Sequence, residues 1–164
     1  MGYKKYMRDA FQDNDVSQER LIEWRDQPAT KRVDNPTKLH RAKQLGYKAK
    51  QGVFVIRQRV QRGGRQRKQF KAGRKSSNFG RRKVLDISYQ EVAERRVSEV
   101  HPNCEVLNSY VVGEDGGYKW FEVIVVDPDE PAVQADDDLR EMAERKGRAF
   151  RGLTSAGRRS GSSN

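Results

Sequence analysis

Residues 104–126, CEVLNSYVVGEDGGYKWFEVIVV, contain two apolar runs on either side of a short glycine-rich stretch. Both runs are rich in valine and aromatic residues, which favour β-strands, and the pair Asp115-Gly116 between them favours a tight turn. The stretch therefore predicts an antiparallel hairpin. Pro128 and Pro131 are expected to end it, because proline lacks the N–H group that a strand ladder requires.

The segment before the hairpin predicts a helix. Residues 88–100, SYQEVAERRVSEV, begin with a capping-box pattern, in which Ser88 caps the amide of Glu91 and this glutamate reaches back. His101-Pro102 then ends the helix. The buried stripe that the helical spacing of apolar residues predicts consists of Tyr89, Ala93, Val97 and Val100.

A third strand is predicted over residues 53–62, VFVIRQRVQR, by their β-branched content. Side chains alternate between the two faces of a strand. One face then holds Phe54, Ile56 and Val60, and the other holds Val55, Arg57 and Arg59. We therefore expect one face to be anchored in the core and the other face to be basic and open to a polyanion.

The double glycine at positions 63 and 64 is expected to break this strand. Residues 65–83 contain few apolar side chains and predict a long loop. We expect this loop to be unordered in the free protein, because it has almost nothing to bury. A short further strand is predicted over residues 82–87.

Two helices are predicted near the start of the chain. Ser17 is the expected N-cap of the first helix, which Pro28 ends. The second helix covers residues 36–46, PTKLHRAKQLG, and Gly46 stands where a terminating glycine is expected. Its apolar side chains in helical register are Leu39, Ala42 and Leu45. The opposite face of this second helix is basic.

The C-terminal part predicts one more helix and a tail. Residues 136–147, DDDLREMAERKG, carry acids in the first turn, bases in the last turn and Gly147 as a cap. Residues 148–164 are rich in glycine, serine and arginine and predict no fold of their own. The expected class is α+β, a small antiparallel sheet with a packed helix, basic N-terminal helices, a long basic loop and an extended C-terminal tail. The expected parts are an N-terminal extension (1–51), a core that includes the basic loop 63–83 (52–134) and a C-terminal helix with its tail (135–164).

Charge is unevenly distributed along this chain of 164 residues, which has a net charge of +11. Residues 35–85 contain seventeen Lys or Arg and no Asp or Glu, whereas residues 86–141 contain four basic and fifteen acidic residues. Such a basic block is stable when solvated and extended or when phosphates neutralise it. Nucleic acid is the first expected partner, and an acidic membrane surface the second. A solvated linker or localisation signal is the alternative for the basic block.

The targeting signals in the sequence are weak. No apolar stretch approaches the roughly 18–20 residues that a membrane-spanning helix needs, and the first residues lack the apolar region of a signal peptide. A soluble intracellular protein is therefore expected. Cys104, the single cysteine, excludes a disulfide within the chain.

The candidate RNA contacts are the cations of the basic block, the N-terminal helices and the tail, together with nearby aromatic and glycine residues. Guanidinium groups bind phosphate bidentately, aromatic rings stack on unpaired bases, and glycines let the backbone approach RNA closely. For the aromatic residues Tyr47, Phe70 and Phe79, ordinary packing is an equal alternative. The predicted contacts are Arg25, Lys38, Arg41, Lys43, Tyr47, Lys48, Lys50, Arg57, Arg59, Arg62, Gly63, Gly64, Arg65, Arg67, Lys68, Lys71, Arg74, Lys75, Arg81, Arg82, Lys83, Arg148, Arg151, Arg158 and Arg159.

Catalytic and metal-binding patterns are weak in comparison. The hairpin carries carboxylates that resemble those of metal-dependent nucleases, but Asp115 is expected in its turn for backbone reasons. Glu122 is followed by Val-Ile-Val, so no lysine after it completes such a cluster, and His40 and His101 have no spaced partner for a metal. We therefore predict no catalytic residue, no metal site and no cofactor.

Two long segments resemble one protein family. They are PTKLHRAKQLGYKAKQG followed by VFVIRQRVQRGG, residues 36–64, and EVLNSYVVGEDGGYKWFEVIVVDP, residues 105–128. Both are similar to the large-subunit ribosomal proteins numbered fifteen in the eukaryotic and archaeal series. The segment GRAFRGLTSAGRRS, residues 147–160, resembles the archaeal branch. The resemblance extends over nearly the whole chain.

The resemblance implies a non-enzymatic, structural component of the large ribosomal subunit in the cytoplasm. Its implied partners are large-subunit rRNA and neighbouring proteins of the same subunit, with no membrane and no homo-oligomer. The implied fold is an α+β antiparallel sheet with long extensions that reach into RNA. Two alternatives remain: an RNA-processing enzyme that uses the hairpin carboxylates, and a free basic protein that compacts DNA or acts as a chaperone.

Overall fold

The computed structural model describes residues 5–6, 16–64 and 87–161 of the chain. Its strands are β1 (Thr30–Val33), β2 (Val53–Gln61), β3 (Glu105–Glu114) and β4 (Tyr118–Val126). The helices that matter below are α1 (Gln18–Asp26), α2 (Leu39–Gln44), α3 (Tyr89–Val100), α4 (Pro131–Gln134), α5 (Asp137–Glu144) and α6 (Ser155–Arg159). The predicted α+β class is confirmed.

The strands form one antiparallel sheet in the order β1-β2-β4-β3. β4 pairs with β3 as a hairpin and pairs with β2 from Val53 opposite Val126 to Gln61 opposite Tyr118. The predicted hairpin and the predicted strand that begins at Val53 are therefore confirmed. The sequence does not indicate β1, because this strand has only four residues, TKRV, and is too short to show alternation.

Both faces of the sheet are buried by helices. The cluster beneath α3 contains Ala93, Val97, Ile56, Val60, Phe121, Val123 and Val125. The cluster on the other face joins α1, α2 and α5 to the sheet and contains Leu21, Trp24, Ala42, Leu139, Val55, Trp120 and Ile124. This double coverage explains the nearly unbroken apolar sequence of β4, since a strand that is buried on both faces has no solvent side.

The face of β2 that carries Arg57 is covered by α1, so the prediction that this face is basic and open is wrong for Arg57. Its guanidinium carbon lies 3.9 Å from the ring centroid of Trp24, and the residue is 9% exposed. Its Nη2 also donates a hydrogen bond to the side chain of Gln27. Alternation along the strand does not reveal this, because it cannot show that α1 places the indole ring of Trp24 over the Arg57 guanidinium.

The N-cap of α3 is confirmed, and its buried stripe is only partly as predicted. The hydroxyl of Ser88 accepts a hydrogen bond from the Glu91 amide at 3.2 Å. Ala93 and Val97 are fully buried, whereas Tyr89 is half-buried and Val100 is 57% exposed. The helix also buries two carboxylates, because the C-terminal segment packs against its second face, as described next.

Residues 148–161 fold onto the domain, so the prediction of a tail without a fold is wrong for this part. Thr154 caps α6, and its hydroxyl donates a hydrogen bond to the buried carboxylate of Glu94 at 2.5 Å. A Cβ atom added to Gly157 would lie 2.5 Å from the Cα of Gly152, so only glycine allows this approach. The tail gains its structure from contacts that its own sequence does not show.

The hairpin ends before Pro128 and Pro131, as predicted, whereas the helix predicted after it is shorter than expected. Pro131 follows the hairpin as expected but begins α4, where proline is tolerated in the first turn. The helix predicted over residues 136–147 ends at Glu144, so its basic residues Arg145 and Lys146 follow the helix instead of forming its last turn. Gly147 has a φ of 69°, the conformation expected of a terminating glycine.

The division of the chain into residues 1–51, 52–134 and 135–164 stays a prediction. In the described residues these segments share one apolar cluster, to which α1, β2 and α5 all contribute. The predicted loop over residues 65–83 lies outside the described residues. So does the strand predicted over residues 82–87, except for Ile87, which is not in a strand.

Candidate nucleic-acid interface

α2 presents its basic side chains to solvent because its apolar side faces the core. Ala42 is fully buried, while Arg41 and Lys43 are exposed. Arg41 Nη1 donates a hydrogen bond to the side chain of Gln44 at 3.1 Å. Gly46 follows the helix with a φ of 96°, as expected of a glycine that ends a helix. The basic face of this helix is therefore available to a partner.

A cleft of about 790 Å³ lies where α2, α6 and β3 meet. The α2 segment contributes Lys38 and Arg41, and α6 contributes Arg158 and Arg159. The Arg159 side chain is held in place, since its Nη2 donates to Gln90 Oε1 at 2.9 Å and its Nε donates to the Ser155 carbonyl at 3.1 Å. The fold thus brings together predicted contacts from opposite ends of the chain.

Lys48 and Lys50 lie apart from this cleft and are paired with an acid. Each Nζ lies 2.7 Å from a carboxylate oxygen of Asp136, and Lys48 also lies 3.5 Å from Asp138. The hydrogen bonds from Lys48 and Lys50 hold the pKa of Asp136 well below its usual range. The hydrogen bond to Asp136 raises the pKa of Lys48. Part of the charge of both lysines is therefore neutralised within the protein.

Three other predicted cations surround the hairpin turn. Arg25 Nε lies 2.7 Å from Asp115 Oδ2, and Arg62 Nη1 donates to the Asp115 carbonyl at 2.6 Å. Arg59 donates to the Arg25 carbonyl and lies 4.8 Å from the ring centroid of Tyr118. Asp115 of the turn thus holds Arg25 and Arg62, and Arg25 and Tyr118 hold Arg59, at one end of the sheet.

Asp115 has the structural role that the sequence predicts. Its Oδ1 accepts hydrogen bonds from the backbone N–H groups of Gly117 at 2.7 Å and Tyr118 at 2.6 Å. Desolvation acts to raise its pKa, but these bonds and the Arg25 guanidinium together lower the pKa of Asp115. The carboxylate therefore stays ionised and closes the turn.

Arg148 is a second predicted contact that the structure places inside the protein. It is 5% exposed, and its Nε donates to the Val106 carbonyl at 3.1 Å. The carboxylate of Glu105 accepts hydrogen bonds from the backbone N–H groups of Gly147 at 2.8 Å and Arg148 at 3.3 Å. Burial lowers the pKa of both Arg57 and Arg148. The prediction that Arg57 and Arg148 face RNA is corrected, because their guanidinium groups are buried against Trp24 and the Val106 carbonyl.

Some of the remaining predicted contacts lie among the described residues, and the others lie outside them. Tyr47 is half-buried against the core, Gly63 exchanges hydrogen bonds with the Tyr89 hydroxyl, and Gly64 and Arg151 are exposed. The predicted contacts that lie outside the described residues are Arg65, Arg67, Lys68, Lys71, Arg74, Lys75, Arg81, Arg82 and Lys83, together with the aromatic residues Phe70 and Phe79.

Glu122, the carboxylate that most resembles a catalytic residue, is fully buried. It accepts hydrogen bonds from the Thr37 amide at 3.0 Å, the Thr37 hydroxyl at 2.5 Å and the Tyr110 hydroxyl at 2.5 Å. Burial and the charge of Glu122 raise the pKa of Tyr110. Over residues 5–6, 16–64 and 87–161, no group of three His, Cys, Asp or Glu side chains is arranged to hold a metal ion. The Glu122 carboxylate thus joins the loop that contains Thr37 to strands β3 and β4.

The residues that sequence reasoning missed are Gln90, Asn108 and Asp136. Gln90 orients Arg159, Asn108 lines the cleft, and Asp136 neutralises two lysines. No local pattern marks them, since each acts on a partner that is distant in the sequence. In the part of the chain that the structure describes, no helix is both long and apolar enough to cross a membrane.

Comparison with known proteins agrees with the resemblance of the two long segments. A sequence model of the family described as "Ribosomal L15" matches residues 2–162. The chain is 47% identical over 163 residues to "Large ribosomal subunit protein eL15" of Methanocella arvoryzae, covering 94% of this chain and 83% of that protein. It is 46% identical over 161 residues to the protein of the same name from Methanocorpusculum labreanum, with the same coverage. The chain therefore belongs to the Ribosomal L15 family.

Proposed function

We propose that this protein is a structural constituent of the large ribosomal subunit and stabilises large-subunit rRNA by neutralising its phosphates. The observation that carries the proposal is the family match over residues 2–162, together with relatives that are named as large-subunit proteins. The charge of the chain supports it, since residues 35–85 contain seventeen cations and no acid. Its proposed location is the ribosome, and its proposed partners are rRNA and neighbouring proteins of the subunit, with no membrane and no homo-oligomer.

The proposed RNA contacts begin with the exposed and partly exposed cations of the described structure. These are Lys38, Arg41 and Lys43 near α2, Arg158 and Arg159 on α6, Arg151, and the group Arg25, Arg59 and Arg62 beside the hairpin turn. The cations between Arg65 and Lys83 are added from the sequence alone. Most of these contacts should position the RNA without reading its sequence, because phosphates carry no base information.

Sedimentation tests the proposal directly. The protein should remain with the large subunit through a high-salt sucrose gradient, and its loss into the free fraction would contradict the proposal. The affinity for large-subunit rRNA should also fall steeply with salt. If about ten cations meet phosphates, log K should fall against log salt with a slope of about −7 to −9. A slope shallower than about −3 would contradict phosphate neutralisation on this scale.

A structural, non-enzymatic role is favoured by what the hairpin carboxylates do. Glu122 is buried and holds Thr37 and Tyr110, and Asp115 closes the turn and binds Arg25. An RNA-processing enzyme would instead show metal-dependent cleavage that the double variant Asp115→Ala/Glu122→Ala abolishes. A DNA-compacting or chaperone-like protein would bind duplex DNA as tightly as rRNA and would not sediment with ribosomes.

A further inference from the structure

The guanidinium groups of Arg25, Arg59 and Arg62 are linked to one another through the hairpin turn. Asp115 accepts a hydrogen bond from Arg25 Nε with its carboxylate at 2.7 Å and one from Arg62 Nη1 with its carbonyl at 2.6 Å. The Arg25 carbonyl in turn accepts a hydrogen bond from Arg59, whose guanidinium lies 4.8 Å from the ring centroid of Tyr118. These three residues, the turn arginines, are therefore held in place within the protein.

The backbone of the turn arginines is fixed as well. Arg25 lies in the last turn of α1. The Arg62 amide donates a hydrogen bond to the Gly117 carbonyl at 2.8 Å, and the Arg59 amide donates one to the Ala29 carbonyl at 2.7 Å. Each side chain is thus restrained at its backbone and at its guanidinium, so it loses little conformational freedom when it binds a ligand.

The turn arginines keep hydrogen-bond donors for a ligand while they are held. Arg25 uses its Nε for the carboxylate, and Arg59 and Arg62 each use Nη1 for a carbonyl. A guanidinium carries five N–H donors, so each side chain has others left. Arg25 and Arg62 are exposed, and Arg59 is partly exposed. Such donors match the paired oxygens of a phosphate.

The Asp115 carboxylate is turned away from solvent. Its side chain is 5% exposed, and the backbone N–H groups of Gly117 and Tyr118 bind its second oxygen. These two donors and the guanidinium compensate its charge, so it repels a phosphate less than an exposed carboxylate does. The neighbouring acid Glu114 is paired with Lys119 at 2.6 Å. Three cations thus surround the Asp115 carboxylate.

We infer that the turn arginines form a phosphate-binding site for RNA and that Asp115 is its positioning residue, an acid that strengthens binding to a polyanion. This inference rests on the proposed function and specifies how one group of its contacts works. Asp115 joins Arg25, which comes from α1, to Arg62, which follows β2. The two guanidinium groups are therefore presented together to the RNA backbone.

Asp136 is expected to act in the opposite direction on its two lysines. It binds Lys48 and Lys50 through their Nζ atoms, and an ammonium is a compact point charge. A guanidinium is planar and has a second edge to offer when its Nε is bound. The kind of cation that an acid binds therefore decides whether this acid weakens or strengthens RNA binding.

The first test measures binding of the full chain to large-subunit rRNA transcribed in vitro. Asp115→Asn keeps an oxygen acceptor for the two turn amides and removes the charge that holds Arg25. It should weaken binding by about fivefold, because the released side chain must be ordered again on binding. Asp129→Asn removes the same charge at an exposed position and is the matched control, which should stay within about twofold.

The opposite result has a clear signature. If Asp115 only neutralised Arg25, Asp115→Asn would bind rRNA more tightly, and its slope of log K against log salt would steepen by about 0.7–0.9. Binding that is equal to or tighter than that of the original protein would overturn the inference. Thermal unfolding of each variant compares their folds.

A double-mutant cycle tests whether Asp115 acts through Arg25. The double variant Arg25→Gln/Asp115→Asn should bind rRNA no more weakly than Arg25→Gln alone, because the side chain that Asp115 positions is already gone. Losses that add would show that Asp115 affects binding only through the shape of the turn. This outcome would overturn its positioning role.

Arg62→Lys tests the site without a change at Asp115. It keeps the charge and loses the planar fork, so rRNA binding should weaken by about threefold. Arg96→Lys, at an exposed position of α3, is the control and should bind as the original protein does. Equal binding by the two variants would overturn the inference even if the protein sediments with the large subunit. Failure to sediment with the subunit would instead overturn the proposed function, so the two failures are distinguishable.

Discussion

The hydroxyl of Tyr110 donates a hydrogen bond to the carboxylate of Glu122 across 2.5 Å, and the two residues are register partners in β3 and β4. The same carboxylate accepts hydrogen bonds from the amide and the hydroxyl of Thr37. Glu122 therefore fastens the loop before α2 to the centre of the sheet. Arg57 is the register partner of Glu122 in β2, and the opposite charges of the two residues attract each other.

Replacement of this carboxylate should destabilise the protein strongly. Glu122→Ala leaves the hydroxyl of Tyr110 and the amide of Thr37 without an acceptor in a buried site, and it removes a negative charge near Arg57. The free energy of unfolding should fall by about 3–5 kcal/mol. Urea denaturation measures this loss. Glu99→Ala, at an exposed position of α3, is the control and should stay within about 0.5 kcal/mol. Equal values for the two variants would show that the hydrogen bonds do not support the fold.

Replacement of Arg148 should destabilise the protein, whereas replacement of Arg151 should not. Arg148→Ala removes a buried guanidinium and its bond to the Val106 carbonyl, so the free energy of unfolding should fall by roughly 2–4 kcal/mol. Arg151→Ala, three positions along at an exposed site, should stay within about 0.5 kcal/mol. Urea denaturation checks both values. If Arg148→Ala were as stable as Arg151→Ala, the internal role of Arg148 would be wrong.

Removal of an acid should strengthen RNA binding. Asp136→Asn releases Lys48 and Lys50 from their ion pairs, so both become able to neutralise phosphates. The slope of log K against log salt should become steeper by up to about 1.8, the value for two additional contacts on duplex nucleic acid. Asp129→Asn removes the same charge at an exposed position and is the control. A slope that steepens equally in both variants would reflect net charge alone.

The sequence predicts the local elements of the fold well, because their signals are local. The hairpin, β2 and the N-caps at Ser17 and Ser88 depend on alternation, turn residues and side-chain caps within a few positions. β1 escapes prediction because four residues carry too little pattern. The folded C-terminal segment escapes prediction because its stability comes from Glu94 and from Gly152, which meets Gly157.

The candidate site was predictable in its chemistry and not in its geometry. Charge segregation indicates a phosphate-binding protein, but it cannot tell Arg148, which is buried, from Arg151, which is exposed. Nor can it show that Lys48 pairs with Asp136, a residue 88 positions away. Such distinctions depend on which surfaces the helices cover. That coverage is a tertiary property, for which the sequence of a single segment carries no signal.

Glu94 should make stability depend on pH. Burial raises its pKa above the ordinary value of 4.5, although the hydroxyls of Ser109 and Thr154 oppose this shift. The unfolded chain therefore releases this proton at a lower pH than the folded chain does. As pH rises from about 4.5 through the raised value, ionisation of Glu94 destabilises the folded state, and at lower pH this penalty is absent.

The variant Glu94→Gln cannot ionise and still offers hydrogen-bonding groups to both hydroxyls. Its free energy of unfolding, relative to that of the original protein, should therefore rise as pH rises above about 4.5 and then level off. Urea denaturation between about pH 4 and pH 8 measures the difference. Glu99→Gln, at an exposed site, should give a flat difference. A flat difference for Glu94→Gln as well would contradict the raised pKa.

The contacts between α3 and the C-terminal segment link the stability of the helix to residues 154–160. The Thr154 hydroxyl donates a hydrogen bond to the buried carboxylate of Glu94, and the Ser160 hydroxyl donates one to the buried carboxylate of Glu91. A translation product that stops before residue 154 retains both carboxylates of α3 but lacks these donors. It must leave the acids exposed to water or bury them at a high cost. A chain that ends before residue 154 should therefore form a less stable domain, because the last helix supplies hydroxyl donors to two buried acids that lie some sixty to seventy residues earlier.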